Sequence, residues 1–330
     1  LFPYTTLFRS AVLVHDGEAQ KVGATFGYAC WHPDGRMVTY SSNKVVLFLH
    51  SADDEVRDVL DLDSLLACYT LDSKTVGTAP DLARKDRLET YPAWSPDGRF
   101  LYFCSAPLTW SDRTRIPKDY GAIRYDLMRV AYDPARDQWG PLETVLSARD
   151  TGKSILLPRI SPDGRWLLFC MCDYGCFPVY RQSSDLYIMD LEAGASTGRY
   201  EYRRLDINSD RSESWHSWSS NSRWIAFSSK RGHGAFTRTW ISYVDPNGVA
   251  HRPFVLPQRD PTYYDSCLWT YSVPELVREP VPLKKEALGR VVRGSPDVSV
   301  QLPVTMATPK AETTGRSEEH TSELQSHHPI

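Results

Sequence analysis

The chain has no long apolar run, no marked excess of charge and no regular cysteine pattern. No stretch approaches the ~18 apolar residues that a transmembrane helix needs, so we predict no membrane span. The formal net charge is −3 over 330 residues, which provides no basic footprint for nucleic acid. The seven cysteines are odd in number and irregularly spaced, so they do not form the pattern of a disulfide framework.

Sequence motifs of several enzyme classes are also missing. The chain contains no G-x-S-x-G nucleophile elbow and no phosphate-binding glycine loop, which argues against a serine hydrolase domain or a nucleotide site. A C-x-x-C-H haem-attachment motif is missing as well. No cofactor is evident from the sequence, although acidic side chains leave a divalent cation possible.

What the chain does contain is a repeated tetrapeptide. Ser-Pro-Asp-Gly occurs at 95–98 and 161–164, His-Pro-Asp-Gly at 32–35, and a degenerate Ser-Ser-Asn-Ser at 219–222. Proline presets φ at the second position of a type I turn, and glycine tolerates positive φ at the fourth. We therefore predict structural turns at Pro33, Asp34, Gly35, Pro96, Asp97, Gly98, Pro162, Asp163 and Gly164.

Short apolar segments flank every one of these turns. One precedes the turn and three follow it, and four short antiparallel strands make one propeller blade. The ten tryptophans and the 12% aromatic content suit pleated surfaces. We predict an all-β propeller with blades at about 23–79, 89–146, 155–205 and 213–256, and partial blades at 11–22 and 261–275.

Both ends of the chain resemble translated sequencing-adapter DNA. Residues 1–10 read LFPYTTLFRS, residues 316–327 read RSEEHTSELQSH, and the first residue is not methionine. We set 1–10 and 316–330 aside as artefacts and expect the propeller, over 11–275, to be an incomplete fragment. Residues 276–315 are predicted to be a polar, proline-containing tail.

The repeats resemble those of TolB-type, WD-like β-propellers, in which a strand, an S-P-D-G-[KR] turn and an apolar strand follow one another. The resemblance covers about 23–256, and the segments 85–98, 169–175 and 208–218 are similar to a bacterial exported subgroup. It implies a periplasmic or exported scaffold that binds a protein or envelope partner and is not an enzyme. Longer members carry an upstream haem-type region, so a sensor or redox-partner domain is an alternative.

Loop length predicts which face of the propeller binds a ligand. The repeated turns are minimal, whereas the connections between the second and third strands are long, at about 50–64, 106–123, 172–184 and 230–238. Binding residues concentrate on loops that a rigid scaffold positions. We expect a ligand on the face of these loops, at or near the central channel.

A second repeat falls on that face. Its two copies are Asp86, Arg87 and Glu89 in one blade and Asp210, Arg211 and Glu213 in another. These side chains could ring the channel mouth and bind a charged ligand or a divalent cation. Alternatively, they could join neighbouring blades through hydrogen bonds and ion pairs.

Other candidate residues lie close to these loops. His216 could act as a base or a ligand beside Glu213, and Asp173 and Tyr174 could reach the channel. With a channel metal, the two Asp-Arg-Glu copies and His216 would make a lyase or hydrolase that acts on acidic carbohydrate, which is the enzymatic alternative. The basic residues around Lys230 suggest a solvated loop.

Cysteine chemistry is a weaker alternative. Cys170, Cys172 and Cys176 could ligate a soft metal, or Cys172 and Cys176 could form a local disulfide in an exported protein. However, Cys104 and Cys170 occupy equivalent positions in two repeats, where the other two repeats have Ser41 and Ser228. Small residues at that position favour a packing role.

Overall fold

The computed structural model describes residues 11–15, 18–23, 26–51, 55–232, 234–280 and 284–300. Its main feature is a series of four antiparallel sheets of four strands, each formed from consecutive strands of the chain. Neighbouring sheets pack through their inner strands. The protein is an all-β propeller, as the repeated turns predict.

The strands follow the chain in simple order. The first hairpin consists of β1 (Ala11–His15) and β2 (Glu18–Gly23). The blades are then blade I, with β3 (Ala29–Trp31), β4 (Met37–Leu49), β5 (Arg57–Thr70) and β6 (Thr75–Gly77); blade II, with β7 (Arg87–Trp94), β8 (Phe100–Pro107), β9 (Asp126–Asp133) and β10 (Gln138–Leu146); blade III, with β11 (Ser154–Ile160), β12 (Trp166–Cys172), β13 (Asp185–Asp190) and β14 (Tyr202–Arg204); and blade IV, with β15 (Glu213–Trp218), β16 (Trp224–Ser229), β17 (Arg238–Tyr243) and β18 (Phe254–Val255).

Helices are short and lie between strands or after the last blade. They are α1 (Ala148–Thr151), α2 (Leu191–Thr197), α3 (Tyr263–Ser266) and α4 (Lys285–Arg293), with single 3-10 turns at Pro80–Leu82, Tyr120–Ala122 and Pro178–Tyr180. In the described part of the chain, none of the helices is long and apolar enough to cross a membrane. Residues 261–275, where we predicted a partial blade, hold α3 and no strand.

The Ser-Pro-Asp-Gly turns are built by their own side chains. In blade II, Asp97 accepts hydrogen bonds from Ser95 Oγ at 2.6 Å and from Arg99 N at 3.0 Å. Gly98 has φ +71° and donates its N–H to the Ser95 carbonyl oxygen at 2.9 Å. Because the turn satisfies its own polar groups, each blade can pass from its first to its second strand within five residues.

Each second strand carries one buried aromatic side chain at the same place. These residues are fully buried, and they are Tyr40, Phe103, Phe169 and Phe227. Burying such a side chain contributes roughly 1.5–3 kcal/mol. The neighbouring small residues Ser41, Cys104, Cys170 and Ser228 are fully buried too, which agrees with the packing role that the repeat predicts for them.

Blade I departs from the prediction in one element. We expected a loop over 50–64, but β4 and β5 pair along a ladder that reaches from Met37–Thr70 to Leu49–Arg57, with one register shift between Lys44 and Val45. Leu60 and Leu62 on β5 are buried in the main hydrophobic cluster together with residues of blades II, III and IV. The second and third strands of blade I therefore form a long hairpin that reaches the other blades.

The chain after blade IV returns to the first hairpin. The final strand, β19 (Val298–Ser299), pairs in parallel with β2 to complete a three-stranded sheet. Lys21 on β2 donates from Nζ to the carbonyl oxygens of Val292 and Gly294, both at 2.6 Å. The segment between passes the inner strands, where Glu275 pairs with Arg159 at 2.8 Å.

Candidate functional site

Four equivalent residues fill the centre of the propeller. They lie three positions before the end of each inner strand segment, and they are Tyr28, Tyr91, Leu157 and Trp215. The ring centroids of Tyr28 and Tyr91 are 4.1 Å apart, and Trp215 lies 5.6 Å and 6.0 Å from them. The Tyr91 hydroxyl donates to the Cys176 carbonyl oxygen at 2.7 Å. A ligand predicted at the channel would therefore meet packed side chains there, most of them aromatic.

The backbone explains how these side chains reach the centre. Tyr91, Leu157 and Trp215 have positive φ values of 55°, 56° and 45°. Each sits at a register shift in the pairing of the first and second strands of its blade. A bulge of this kind redirects a side chain away from the regular pleat, and here it turns each one into the channel.

A pocket lies on the long-loop face. Its volume is about 1120 Å³, and its walls come from the tip of the blade I hairpin, the 173–184 loop of blade III and two loops of blade IV. The lining residues that carry charge or an aromatic ring are Glu55, Arg57, Asp173, Tyr174, Tyr180, Arg181, Arg211 and Lys230. These loops belong to the face on which we expect a ligand, but none of the four central residues is among the lining residues that the structure describes.

A carboxylate shared by two cations forms one wall of this pocket. Glu55 accepts two hydrogen bonds from Arg57, at 2.7 Å and 2.9 Å, and pairs with Lys230 of blade IV at 2.5 Å. These hydrogen bonds and charges outweigh desolvation and lower the pKa of Glu55 to about 2. Tyr180 lies under both cations, with Arg57 at 4.8 Å and Lys230 at 5.3 Å from its ring centroid.

A buried ion pair supports the opposite wall. Arg181 of blade III pairs with Asp58 on the hairpin, and both side chains are 4% exposed. The guanidinium also lies 3.9 Å from the centroid of the Tyr174 ring, and the Tyr174 hydroxyl donates to Asp58 at 3.3 Å. The hairpin is thus anchored to blade III through Arg181 and to blade IV through Lys230.

Three of the nine predicted ligand-binding residues line the pocket. Asp173, Tyr174 and Arg211 are brought together there. Asp173 also pairs with Lys153 at 3.2 Å. Asp210 does not line the pocket; its side chain is 83% exposed and lies 3.7 Å from Arg211.

The first Asp-Arg-Glu copy lies within and beside blade II. Asp86 pairs with Arg84 at 2.8 Å, and Arg87 pairs with Asp126 at 2.8 Å. Glu89 is 1% exposed and accepts from the Arg84 N–H at 3.3 Å, while its buried Oε1 has no hydrogen-bond partner among the residues that the structure describes. Burial raises the pKa of Glu89 to about 8. These contacts occupy the side chains within blade II and the loop before it, so they do not join neighbouring blades as the structural interpretation expects.

The second copy centres on Glu213, whose carboxylate accepts four hydrogen bonds. Glu213 is fully buried and accepts from Ser209 Oγ at 2.6 Å, Ser229 Oγ at 2.8 Å and Arg231 Nη2 at 2.9 Å through Oε1. Its Oε2 accepts from the Ser209 N–H at 3.1 Å. Glu213 therefore joins the loop before blade IV to the loop after β16, and Arg211 alone of this copy lines the pocket.

His216 is enclosed between blades III and IV. It is 2% exposed, its Nε2 lies 3.1 Å from the Leu168 carbonyl oxygen, and its Nδ1 lies 3.6 Å from Cys170 Sγ. Burial, with a contribution from Arg159, lowers the pKa of His216 to about 3. The structure thus places this histidine in packing rather than in the pocket.

The structure offers no assembled metal site in the residues it describes. No group of three or more His, Cys, Asp or Glu side chains there could hold a metal ion. Cys170, Cys172 and Cys176 are buried free thiols. Cys172 donates to the Tyr174 carbonyl oxygen and Cys176 to that of Val59, both at 3.4 Å.

Most of the charged pocket residues were missed by the sequence analysis. Glu55 and Arg57 fall in a segment that we expected to be a loop. Tyr180 and Arg181 fall in the 172–184 loop, where we named candidate residues only in the first part. The solvated loop expected around Lys230 is wrong for that residue, because its side chain is 7% exposed and paired with Glu55. The alternation of apolar and acidic residues over 60–63 was a strand signal that could have indicated the hairpin.

Comparisons with known proteins show what the fold is similar to. No family model matches the chain, and none of the curated proteins matches it. Among solved structures it is similar to a protein assigned as TolB from Agrobacterium tumefaciens, with 14% identity, a TM-score of 0.39, and coverage of 75% of this chain and 88% of that one.

Two other solved structures have enzyme names. An oligogalacturonate lyase in complex with manganese is 13% identical with a TM-score of 0.40, over 78% of this chain and 74% of that one. A puromycin-hydrolysing peptidase from Mycobacterium tuberculosis is 12% identical with a TM-score of 0.42, over 76% of this chain and 35% of that one. The chain thus spans about a third of that peptidase.

Proposed function

We propose that this propeller is a binding scaffold whose long-loop pocket holds a segment of a partner. The observation that carries the proposal is the pocket of about 1120 Å³, whose walls come from three separate blades. Loops held by a rigid sheet scaffold are where recognition concentrates. Binding across three blades would let the rigid propeller present one preformed surface.

The pocket lining supports binding rather than catalysis. Among its described residues there is no histidine and no cysteine. Ser212 Oγ donates to the Pro178 carbonyl oxygen at 3.0 Å, and Ser183 Oγ accepts from the Asp173 N–H at 3.1 Å. A nucleophilic serine needs a general base within hydrogen-bond reach, and neither serine has one among these contacts.

The enzymatic alternative would need other residues at the ligand. A channel-metal lyase or hydrolase would use Glu213 and His216, which lie in a saturated network and in a packed interface. We therefore rank the scaffold first. An exported or periplasmic location and an envelope partner, both implied by the TolB-type resemblance, belong to this proposal. The upstream haem-type region stays a prediction.

A pocket-filling variant tests the scaffold. Ala235 is exposed and lines the pocket, so Ala235→Trp should block it. Ser73 is exposed at the β5–β6 turn, away from the long loops, so Ser73→Trp is the matched control. We expect a partner captured from envelope extracts by the wild type to be retained by Ser73→Trp and lost by Ala235→Trp.

Several results would reject the scaffold. One is capture of the same partner by all three proteins, and another is capture of no specific partner by the wild type. Cleavage of polygalacturonate by the purified wild type that Ala235→Trp abolishes would favour the enzyme instead. Each variant must retain the wild-type melting temperature, so that a loss of binding reports the pocket.

A further inference from the structure

The charges around the pocket are unequal. Four cationic side chains and two acidic side chains line it, and they are Arg57, Arg181, Arg211, Lys230, Glu55 and Asp173. The ligand that such a pocket favours depends on which of these charges the protein already neutralises.

Two of the six charges are neutralised by ion pairs with residues outside the pocket lining. Arg181 pairs with Asp58, and both side chains are 4% exposed. Asp173 pairs with Lys153 at 3.2 Å. Neither Asp58 nor Lys153 lines the pocket, so these pairs leave no net charge for a ligand to meet.

The hairpin wall retains one positive charge. Glu55 is the shared acid of both Arg57 and Lys230, so two cations face one carboxylate. Lys230 is 7% exposed, whereas the Arg57 side chain is 43% exposed. An anion entering the pocket would therefore meet the accessible edge of Arg57 first.

Arg211 supplies a second positive centre on the blade IV wall. Arg211 does pair with Asp210, but the distance is long, at 3.7 Å, and water screens the pair because 83% of the Asp210 side chain is exposed. The Arg211 side chain is itself 40% exposed, and the neighbouring residue on the pocket wall, Gly234, has no side chain to cover it. Guanidinium groups bind carboxylates with paired, charge-assisted hydrogen bonds.

The remaining lining favours a peptide over a sugar. Sugars stack on open aromatic faces, but Tyr174 has Arg181 over its ring, and Tyr180 has Arg57 and Lys230 near its own. Val56 and Ala235 are exposed in the wall and offer contacts for small apolar side chains. The volume of about 1120 Å³ also exceeds the ~300–1,000 Å³ of ordinary small-molecule sites.

We propose that the pocket binds an acidic peptide segment of a partner protein, with one carboxylate on Arg211 and another on Arg57. This inference rests on the proposed scaffold function and adds the chemistry of the partner. Glu55 has a defined part in it, because its carboxylate occupies Arg57 and Lys230 in the absence of the peptide. Removing that charge should strengthen binding, whereas removing Arg211 should weaken it.

Fluorescence anisotropy with a dye-labelled hexaglutamate peptide tests this proposal on the full chain. We expect Arg211→Gln to bind the probe about tenfold more weakly, because a charge-assisted hydrogen bond is lost. Glu55→Gln should bind it several-fold more tightly, and a gain cannot come from misfolding. Arg199→Gln is the matched control, since Arg199 is 82% exposed and does not line the pocket.

The other outcomes separate the two proposals. Equal binding by wild type, Arg211→Gln and Glu55→Gln would overturn the acidic-peptide inference, and so would binding of hexaglutamine as tight as that of hexaglutamate. Trigalacturonate that binds more tightly than hexaglutamate, with the same dependence on Arg211, would assign the site to acidic sugars instead. A partner that Ala235→Trp loses while hexaglutamate fails to bind would keep the scaffold and reject the peptide chemistry.

Discussion

At the scale of single residues, Glu89 and Glu213 show how one missing cation changes a buried carboxyl group. Both lie at or near the start of the first strand of their blade. Each is the register partner of a serine on the second strand, Ser105 for Glu89 and Ser229 for Glu213. Two residues beyond that serine, blade IV has Arg231, which binds Glu213 at 2.9 Å. Blade II has Pro107 at the same position, and Glu89 Oε1 is left without a donor.

Glu89 should make the protein less stable as the pH rises. Its pKa is raised from 4.5 to about 8 by burial, so between these values the folded state holds a proton that the unfolded state has lost. The free energy of unfolding therefore falls across this window, by a few kcal/mol (roughly 1.4 kcal/mol for each pKa unit). We expect Glu89→Gln to match the wild type near pH 4.5 and to be more stable at pH 8.5, in urea titrations.

Glu213→Gln is the contrasting variant. An amide cannot accept the four hydrogen bonds that the carboxylate accepts, and it leaves Arg231 without its charge partner, so we expect a loss of about 3 kcal/mol at neutral pH.

Asp61, whose pKa burial raises to about 7, adds a pH dependence of the same sign to every variant. The difference in unfolding free energy between the wild type and Glu89→Gln cancels the contribution of Asp61. If that difference did not change with pH, the prediction for Glu89 would be contradicted.

At the scale of elements, the repeated turns differ in what surrounds their glycine. Gly98 and Gly164 have φ values of +71° and +79°, so alanine is strained at both. A Cβ at Gly98 would also overlap the His32 ring of the preceding turn, whereas nothing lies within 4 Å of a Cβ at Gly164. The turn at Gly98 is therefore constrained by packing as well as by its backbone conformation.

Alanine at these two glycines should separate the constraints. Gly164→Ala should cost about 1 kcal/mol, the strain of a left-handed residue. Gly98→Ala should cost several kcal/mol, because His32 must move and its contact with the Gly98 carbonyl oxygen, at 3.1 Å, would be lost as well. Thermal unfolding of both variants measures this order, and equal losses would show that His32 yields freely.

Element by element, the sequence predicts the regular part of this fold well. The turn motif positions the first two strands of each blade, because proline, aspartate and glycine act locally. The blade I hairpin was missed for the opposite reason. Its polar residues Asp58 and Asp61 are buried through partners on other blades or strands, namely Arg181 and Asn43, and sequence alone does not show such partners.

At the scale of the whole molecule, the pocket is a product of distant segments. Its walls combine the hairpin tip at 55–57 with 173–183, 211–212 and 230–235. The long-loop face could be predicted because loop length is visible in the sequence. The charged residues of the pocket could not be predicted. Glu55 and Lys230 are 175 positions apart in the chain, and they meet only because the tip of the blade I hairpin reaches blade IV.

The contact between the blade I hairpin and blade III predicts how these two blades are coupled. Asp58 on the hairpin and Arg181 of blade III form a buried pair, and removing one partner of such a pair strands the other charge. We expect Arg181→Met to lower the free energy of unfolding by about 3–5 kcal/mol. Asp58→Asn combined with Arg181→Met should recover a large part of that loss, since no buried charge is then left alone. Urea titrations of the wild type, both single variants and the double variant give the coupling energy. Purely additive losses would mean that the hairpin is held by its apolar contacts, such as those of Leu60 and Leu62, and that the ion pair contributes nothing to joining blade I to blade III.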